Sequence, residues 1–427
     1  MCLVCKALRT LAEPFLYSRI HWTWVTSRNP PITLLLRSIL SKPQLATHIQ
    51  SLVLDGDTFH DTEYAGRPPK IPVSEAELDE PIAFIERIKV PYGVLWIREL
   101  RCGTMDAFIA VLLSQLSSLT SLRLSPNFAK ESQIVGMVLR SALCESVDRG
   151  LPTFQRLRDV SFKIRFHGHQ IRKTVRNTAD VLPFFYLPTV QHISASIDNP
   201  VAFAWPAKHA PTPSRLTSLD LTFIREGHLS QILSATTRLK TLRWEWYYLD
   251  KIADPFVKPI IDLDQIIKTM SHVRDTLTDL AISAVCYSSQ ATDWPPSLTI
   301  NGSLNAIVNF KALKRFEAPM PFLMGFSPAA ASRLEHVIPK NIEFLTITDD
   351  LFEQEEYEMD DFTLLGVIRS WLEDWRASTP NLRGISLLLK YAEDEWGPAM
   401  RNELRELCAR AGIRVEITKL RNDIDNS

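Results

Sequence analysis

An α/β protein, built as an irregular solenoid of about twelve strand–helix units with a parallel sheet along its concave face, is what this sequence of 427 residues predicts. Two observations carry the prediction. A short phrase, apolar-x-x-apolar-x-apolar, recurs as LTSLRL (119–124), LRDVSF (157–162), LTSLDL (216–221), LKTLRW (239–244), LTDLAI (277–282) and LRGISL (382–387). Between copies lie stretches with helical spacing of apolar residues, among them 105–116, 228–239, 263–275, 363–375 and 400–412. One short strand alternating with one helix many times over marks a stacked repeat architecture. Parallel strands joined by helices place the chain in the α/β class.

Aligned on the middle apolar residue of the phrase, the units run Leu52, Leu100, Leu122, Val160, Ile193, Leu219, Leu242, Leu280, Phe316, Leu345, Ile385 and Val415. Their spacing varies from 22 residues (Leu100 to Leu122) to 48 (Leu52 to Leu100). Regular leucine-rich repeats span about 20–29 residues, so the array reads as an irregular leucine-rich-repeat solenoid with inserted loops. Within each phrase, residues i, i+3 and i+5 face the core. Those between them, such as Ser218, Asp220 and Arg243, face outward, by the two-residue period of a half-buried strand. In the last helical stretch Leu404, Leu407 and Cys408 share a face, and Gly412 is placed to end the helix. Insertions are expected near 57–81, 198–214, 287–300 and 349–361; the first and second are rich in proline and lack a period. Residues 49–427 form the solenoid, and 1–48 a short, mainly helical segment before it.

Composition narrows the function. Apolar residues make up 45% and charged residues 23%, with a formal net charge of −1. That balance gives no global field for nucleic acid or an anionic membrane. No apolar run approaches the roughly 20 residues of a membrane span, and the first residues lack a signal-peptide pattern. Six scattered cysteines read as reduced thiols in an intracellular protein, cytoplasmic or nuclear. No GxSxG, HExxH, phosphate-loop or dinucleotide motif occurs, and only 14 glycines are present to cradle phosphates. The expectation is a protein-binding module with no catalytic residues, cofactor or metal.

The candidate contacts follow from the outward positions. WEWYY (244–248) concentrates aromatics at a strand end, and Trp and Tyr dominate interface hot spots. With Trp244 and Trp246 inward, Glu245, Tyr247 and Tyr248 join Asp220 and Arg243 as candidate partner-binding residues; core and edge packing is the competing reading of the aromatics. Cys2 and Cys5 have metal-like spacing but no second pair, which favours helix packing. His167 and His169 lie in a basic stretch (163–176) suited to an anion or, more simply, to a solvated loop. The run 349–361 holds eight carboxylates and reads as a solvated loop that could attract a basic partner. Trp371 and Trp375, four apart, share a helix face suited to core packing.

The N-terminal segment carries a further signal. Cys5, Leu8, Leu11, Ala12, Pro14, Leu16 and Tyr17, followed by Leu35, Leu36, Arg37, Ile39, Leu40, Pro43, Leu45, Ala46, Ile49, Leu52 and Leu54, form two phrases. Over about fifty residues they resemble the end of a fungal F-box domain running into its leucine-rich repeats. The resemblance implies a substrate receptor whose box docks on a Skp adaptor and links a bound protein to a cullin-RING ubiquitin ligase. It implies no chemistry in the receptor itself. The sequence opens at what resembles the last helix of such a box, without the Leu-Pro-x-Glu segment and first helices that dock the adaptor. A stand-alone repeat scaffold with no ligase connection is the alternative expectation, and an unrecognised enzyme site assembled from distant residues is the third.

Overall fold

The computed structural model describes residues 6–25, 27–56, 68–129, 132–147, 149–163, 178–250, 254–288, 295–327, 333–358, 361–390 and 396–419. The chain divides into two compact units, Met1–Leu216 and Thr217–Ser427. Cys2, Cys5, His167 and His169 lie outside the described residues.

The first unit carries five parallel strands in chain order: β1 (Arg19–Thr23), β2 (Ser51–Asp55), β3 (Ser121–Leu124), β4 (Asp159–Phe162) and β5 (His192–Ser196). In register, Ile20 pairs with Leu52, Leu52 with Leu122, Leu122 with Val160, and Val160 with Ile193. Most strands repeat one hydrogen-bond device. The carbonyl just before a strand accepts from two successive backbone N–H groups at the start of the next strand. Gln50 O thus takes Thr120 N (2.8 Å) and Ser121 N (3.1 Å), and Thr120 O takes Arg158 N (2.9 Å) and Asp159 N (3.2 Å). A parallel ladder needs evenly spaced partners, and this shared acceptor sets the step between repeats.

The second unit carries seven parallel strands, adjacent in the order β6 (Ser218–Thr222), β7 (Thr241–Leu249), β9 (Asp279–Tyr287), β11 (Arg315–Pro319), β12 (Phe344–Thr348), β13 (Gly384–Leu389) and β14 (Arg414–Lys419). The same device recurs at Thr217 O, Lys240 O, Thr278 O, Lys314 O and Glu343 O. A side ribbon pairs β8 (Ile260–Asp262) with β10 (Thr299–Asn301), also parallel. β10 therefore grows from the tail of the insertion expected over 287–300.

Inward positions match the repeated phrase. The three apolar residues of all six copies are buried, from Leu119, Leu122 and Leu124 to Leu382, Ile385 and Leu387. Helices cover the inward side, including Met105–Leu113, whose residues are all buried, and Asp361–Glu373, which buries Trp371. Trp375 is buried too. The helix Pro398–Ala411 ends at Gly412, with φ +72°, where Ile413 N donates to Cys408 O (2.8 Å) and Gly412 N to Ala409 O (3.1 Å). That is a left-handed cap with both terminal carbonyls satisfied.

Three expectations are corrected. Leu100 is not in a strand. It lies in the helix Gly93–Arg101, buried on one face with Trp96, whose indole N–H donates to Ala107 O (2.9 Å). An apolar pair at i and i+3 suits a helix as well as the strand phrase, and the third position, Cys102, is exposed. The twelfth strand of the parallel series is instead β1, within the segment expected to be helical; its R-I-H-W-T alternation is the strand signal. Finally, the stretch 68–81 is not all loop. Ser74 and Glu77 form a capping box, Ser74 N donating to Glu77 Oε2 (2.9 Å), and open the helix Glu75–Ile88. The excursion 198–214, by contrast, has neither helix nor strand. Trp205 pins it edge-on against Phe185 (5.5 Å) and Phe203 (5.3 Å), and Tyr186 donates its hydroxyl to His209 O (2.6 Å).

Two buried polar centres brace the units. In the first, Asp180 is buried against the helix Gln133–Leu143 and accepts from the Ser132 hydroxyl. Burial pushes its carboxyl up to about 7, and Asp198 nearby adds to the rise. The folded state then holds the proton more tightly than the unfolded chain, whose carboxyl titrates near pH 4. Stability from this group is full below about pH 4 and is lost as pH rises toward about 7. The unfolding free energy of the parent, from urea titrations, should fall between pH 5 and pH 8 more than that of Asp180→Asn, by on the order of a few kcal/mol. Parallel pH profiles for the two proteins would remove Asp180 as the cause. In the second unit, the buried centre is Arg225. Its Nε and Nη2 donate to Glu226 (2.9 and 3.1 Å), Nη2 also to Ile260 O (3.0 Å), and Nη1 to Tyr247 O (3.1 Å) and Lys258 O (3.2 Å). Its guanidinium lies 4.6 Å from the Trp246 ring centre.

Candidate binding face of the second unit

Alternation along the strands of the second unit sends one set of side chains outward, and in-register pairing aligns them into rows across the sheet. The middle row runs Asp220, Arg243, Ala281, Glu317, Thr346, Ser386 and Glu416. One step toward the strand ends, Glu245 pairs with Ser283, while Pro319, Thr348 and Leu388 align on the neighbouring strands. One step back, Arg315 stands beside Phe344, its guanidinium 5.7 Å from the ring centre, and donates to Asp279 Oδ1 (3.0 Å).

Of the five residues expected to contact a partner, Asp220, Arg243 and Glu245 share this face and are at least partly accessible. Tyr247 was expected at the strand end, but β7 runs on to Leu249. Tyr247 is buried, with its ring edge-on to Phe223 at 5.5 Å. Tyr248 alternates to the opposite side from Glu245, and burial pushes its hydroxyl up.

The expected solvated acidic loop is also corrected. Asp349, Asp350 and Gln354 are buried. Asp349 accepts Lys390 N on both oxygens (2.8 and 2.7 Å), and Asp350 accepts Ala284 N (3.1 Å) while pairing with the Lys390 ammonium. Burial alone would lower the Lys390 ammonium; Asp350, with Asp349 and Glu245 behind it, raises it instead. Glu317 stands beside this group, and burial pushes its carboxyl up despite Arg243. Glu317 is outward in RFEAP by the same alternation that marks Asp220, so the pattern alone could have found it. Asp350 and Lys390 meet across 40 residues of chain, and no local spacing reports that.

Of the F-box-like residues, Leu8, Leu11, Pro14, Leu16 and Tyr17 sit on the helix Lys6–Ser18, with Pro14 inside it. Leu11, Phe15 and Leu16 are 68%, 82% and 60% exposed, Leu8 is exposed as well, and Pro14 and Tyr17 are half-buried. The outer side of this helix is therefore apolar and exposed.

Burial pushes the Cys144 and Cys286 thiols up to about 12 and the Cys408 thiol up to about 11, which suppresses the nucleophilic thiolate. Among the described residues no group of three or more His, Cys, Asp or Glu side chains could hold a metal ion, and no helix is long and apolar enough to cross a membrane. On the helical side a separate open groove of about 770 Å³ is lined by Val308, Glu335, His336 and Trp371 among others. No family model, curated protein or solved structure matches the chain.

Proposed function

We propose that this chain is a protein-recognition module of the leucine-rich-repeat kind, and the substrate-binding part of an F-box-type ubiquitin-ligase receptor. The observation that supports recognition is the middle outward row of the second unit. Seven in-register strands present charged and small side chains there, over an inward layer of apolar residues that is buried on every strand but β14. A face that is rigid, accessible and chemically varied suits contact with a protein, and nothing on it converges as a nucleophile, base and oxyanion donor would. In this reading the chain performs no catalysis and needs no cofactor.

The exposed apolar side of the helix Lys6–Ser18 favours the receptor over the stand-alone scaffold, since a scaffold has no need of it. The direct test is titration with a Skp adaptor of the purified chain, alone and with the front of an F-box restored ahead of Met1. Saturable binding of either form that is lost when Leu11 and Phe15 are changed to serine supports the receptor. An adaptor that binds neither form leaves the scaffold. For the recognition face, Asp220→Ala, Arg243→Ala and Glu245→Ala together should reduce partner capture from native extract at least tenfold without changing the thermal midpoint by more than about 2 °C. Unchanged capture by the triple variant would move the contact surface elsewhere.

A further inference from the structure

We infer that the open groove on the helical side of the second unit binds a short zwitterionic peptide with apolar side chains, its free carboxylate on Lys340 and its free ammonium on Asp374. The inference goes beyond the recognition reading and shares no residue with the outward sheet face, so either can fail alone.

The groove exists because one repeat is short of helix. The turn Leu334–Val337 has only four residues, and it packs against both the turn Asn305–Asn309 and the thirteen-residue helix Asp361–Glu373. Four helical residues rise about 6 Å, which leaves the layer unfilled beside its longer neighbour. The space of about 770 Å³ lies in the range of small-molecule sites, roughly 300–1,000 Å³. Val308, Ile338 and Ala377 give its lining an apolar part.

The charges of the lining set the class of ligand. Glu335 is committed to Arg333 at 3.3 Å. Lys340 and Asp374 are exposed, come from different elements, and neither side chain has a hydrogen bond or ion pair among the described residues. His336, also in the lining with its ring unpaired, offers a further donor to a carboxylate. A free cation and a free carboxylate that are not paired with each other complement a ligand carrying both signs. Two extended residues span about 7 Å, so the termini of a dipeptide stand far enough apart to meet groups on two elements.

A separate observation in the same groove points to a peptide. Trp371 belongs to the lining, is 3% exposed, and its indole N–H has no acceptor among the described residues. Elsewhere the chain satisfies its buried indoles: Trp24 donates to Asn29 Oδ1 (3.1 Å), Trp96 to Ala107 O (2.9 Å) and Trp244 to Ile224 O (2.8 Å). An indole nitrogen only donates, and a buried donor without an acceptor costs free energy. A peptide laid in the groove brings carbonyl oxygens to this donor.

The test uses the full chain, labelled at its tryptophan indoles, and the dipeptide phenylalanyl-leucine in four forms: free, N-acetylated, C-amidated and blocked at both ends. Trp371→Phe identifies the Trp371 indole resonance by its loss. The free dipeptide should shift that resonance saturably, with a Kd of about 1 mM or tighter. Blocking either end should weaken binding about fivefold, the upper range for an exposed ion pair. Lys340→Gln should bind the free and amidated forms alike, and Asp374→Asn the free and acetylated forms alike. Both side chains are exposed, so neither change should disturb folding. A Trp371 resonance unmoved by every form up to about 10 mM overturns the inference. So does equal affinity for the free and doubly blocked forms, an effect of one end alone, or a preference that survives in either variant.

Discussion

Arg225→Met is expected to destabilise the second unit by about 3–5 kcal/mol, the range for breaking a buried ion pair from one side. The guanidinium is 2% exposed and each of its N–H groups has an acceptor. Three of those acceptors are backbone carbonyls, of Tyr247 at the far end of β7 and of Lys258 and Ile260 leading into β8. The side chain thus ties the long strand to the side ribbon, and removing it takes a donor from each of three carbonyls and both donors from the part-buried Glu226 carboxylate. Arg225→Lys should recover little, because a point ammonium cannot serve a planar fork of acceptors. Arg225→Met combined with Glu226→Gln should be less damaging than Arg225→Met alone, since no buried charge is left unpaired. Hydrogen exchange at Tyr247–Leu249 and Ile260–Asp262 is the local readout. Unchanged protection there in Arg225→Met would show that the ribbon is held by other contacts.

Leu242→Asp should unfold the repeats on either side of β7, while Arg243→Asp, one residue on, should leave them folded. Leu242 is fully buried between its register partners Leu219 and Leu280. A carboxylate there loses its water and gains no partner, at a cost of several kcal/mol. Each repeat buries its apolar face only against its neighbours, so the damage spreads along the array before it fades. Arg243 is exposed and tolerates the change. Limited proteolysis of the two variants separates them. Equal cleavage would mean that the inward and outward assignments of β7 are reversed.

The strand pattern was legible because it is set locally. A parallel strand that buries one side must repeat its apolar residues every second position, and the preceding residue of the phrase closes the turn into it. Eleven of the twelve aligned positions therefore lie in strands, and within each unit those in neighbouring strands pair with one another in register. Leu100 failed because two apolar residues three apart satisfy helix and strand alike, and the capture of Trp96 and Leu100 by Ala107 and the helix layer decided between them. β1 was passed over because it lies between helical stretches and is half-exposed on both sides, so its alternation carries little hydrophobic contrast.

The face was legible in part. Asp220, Arg243 and Glu245 were read from alternation alone, and their grouping follows from the register. Tyr247 shows where that logic stops: it has the outward parity, yet Phe223 from the adjoining loop covers it. The acidic run shows the same limit from the other side, since composition marks it as solvated while Lys390 draws two of its aspartates inward.

By itself, then, the sequence determined the α/β class, the parallel strands and which side of each one meets the core, because those depend on periodicities of a few residues. Only the tertiary structure decided what Arg225 holds together, which outward residues are covered, and that Glu317, Asp350 and Lys390 share one small region of the face. Those outcomes depend on contacts between residues tens of positions apart, whose energies come from burial and charge in a setting that no short stretch of chain contains.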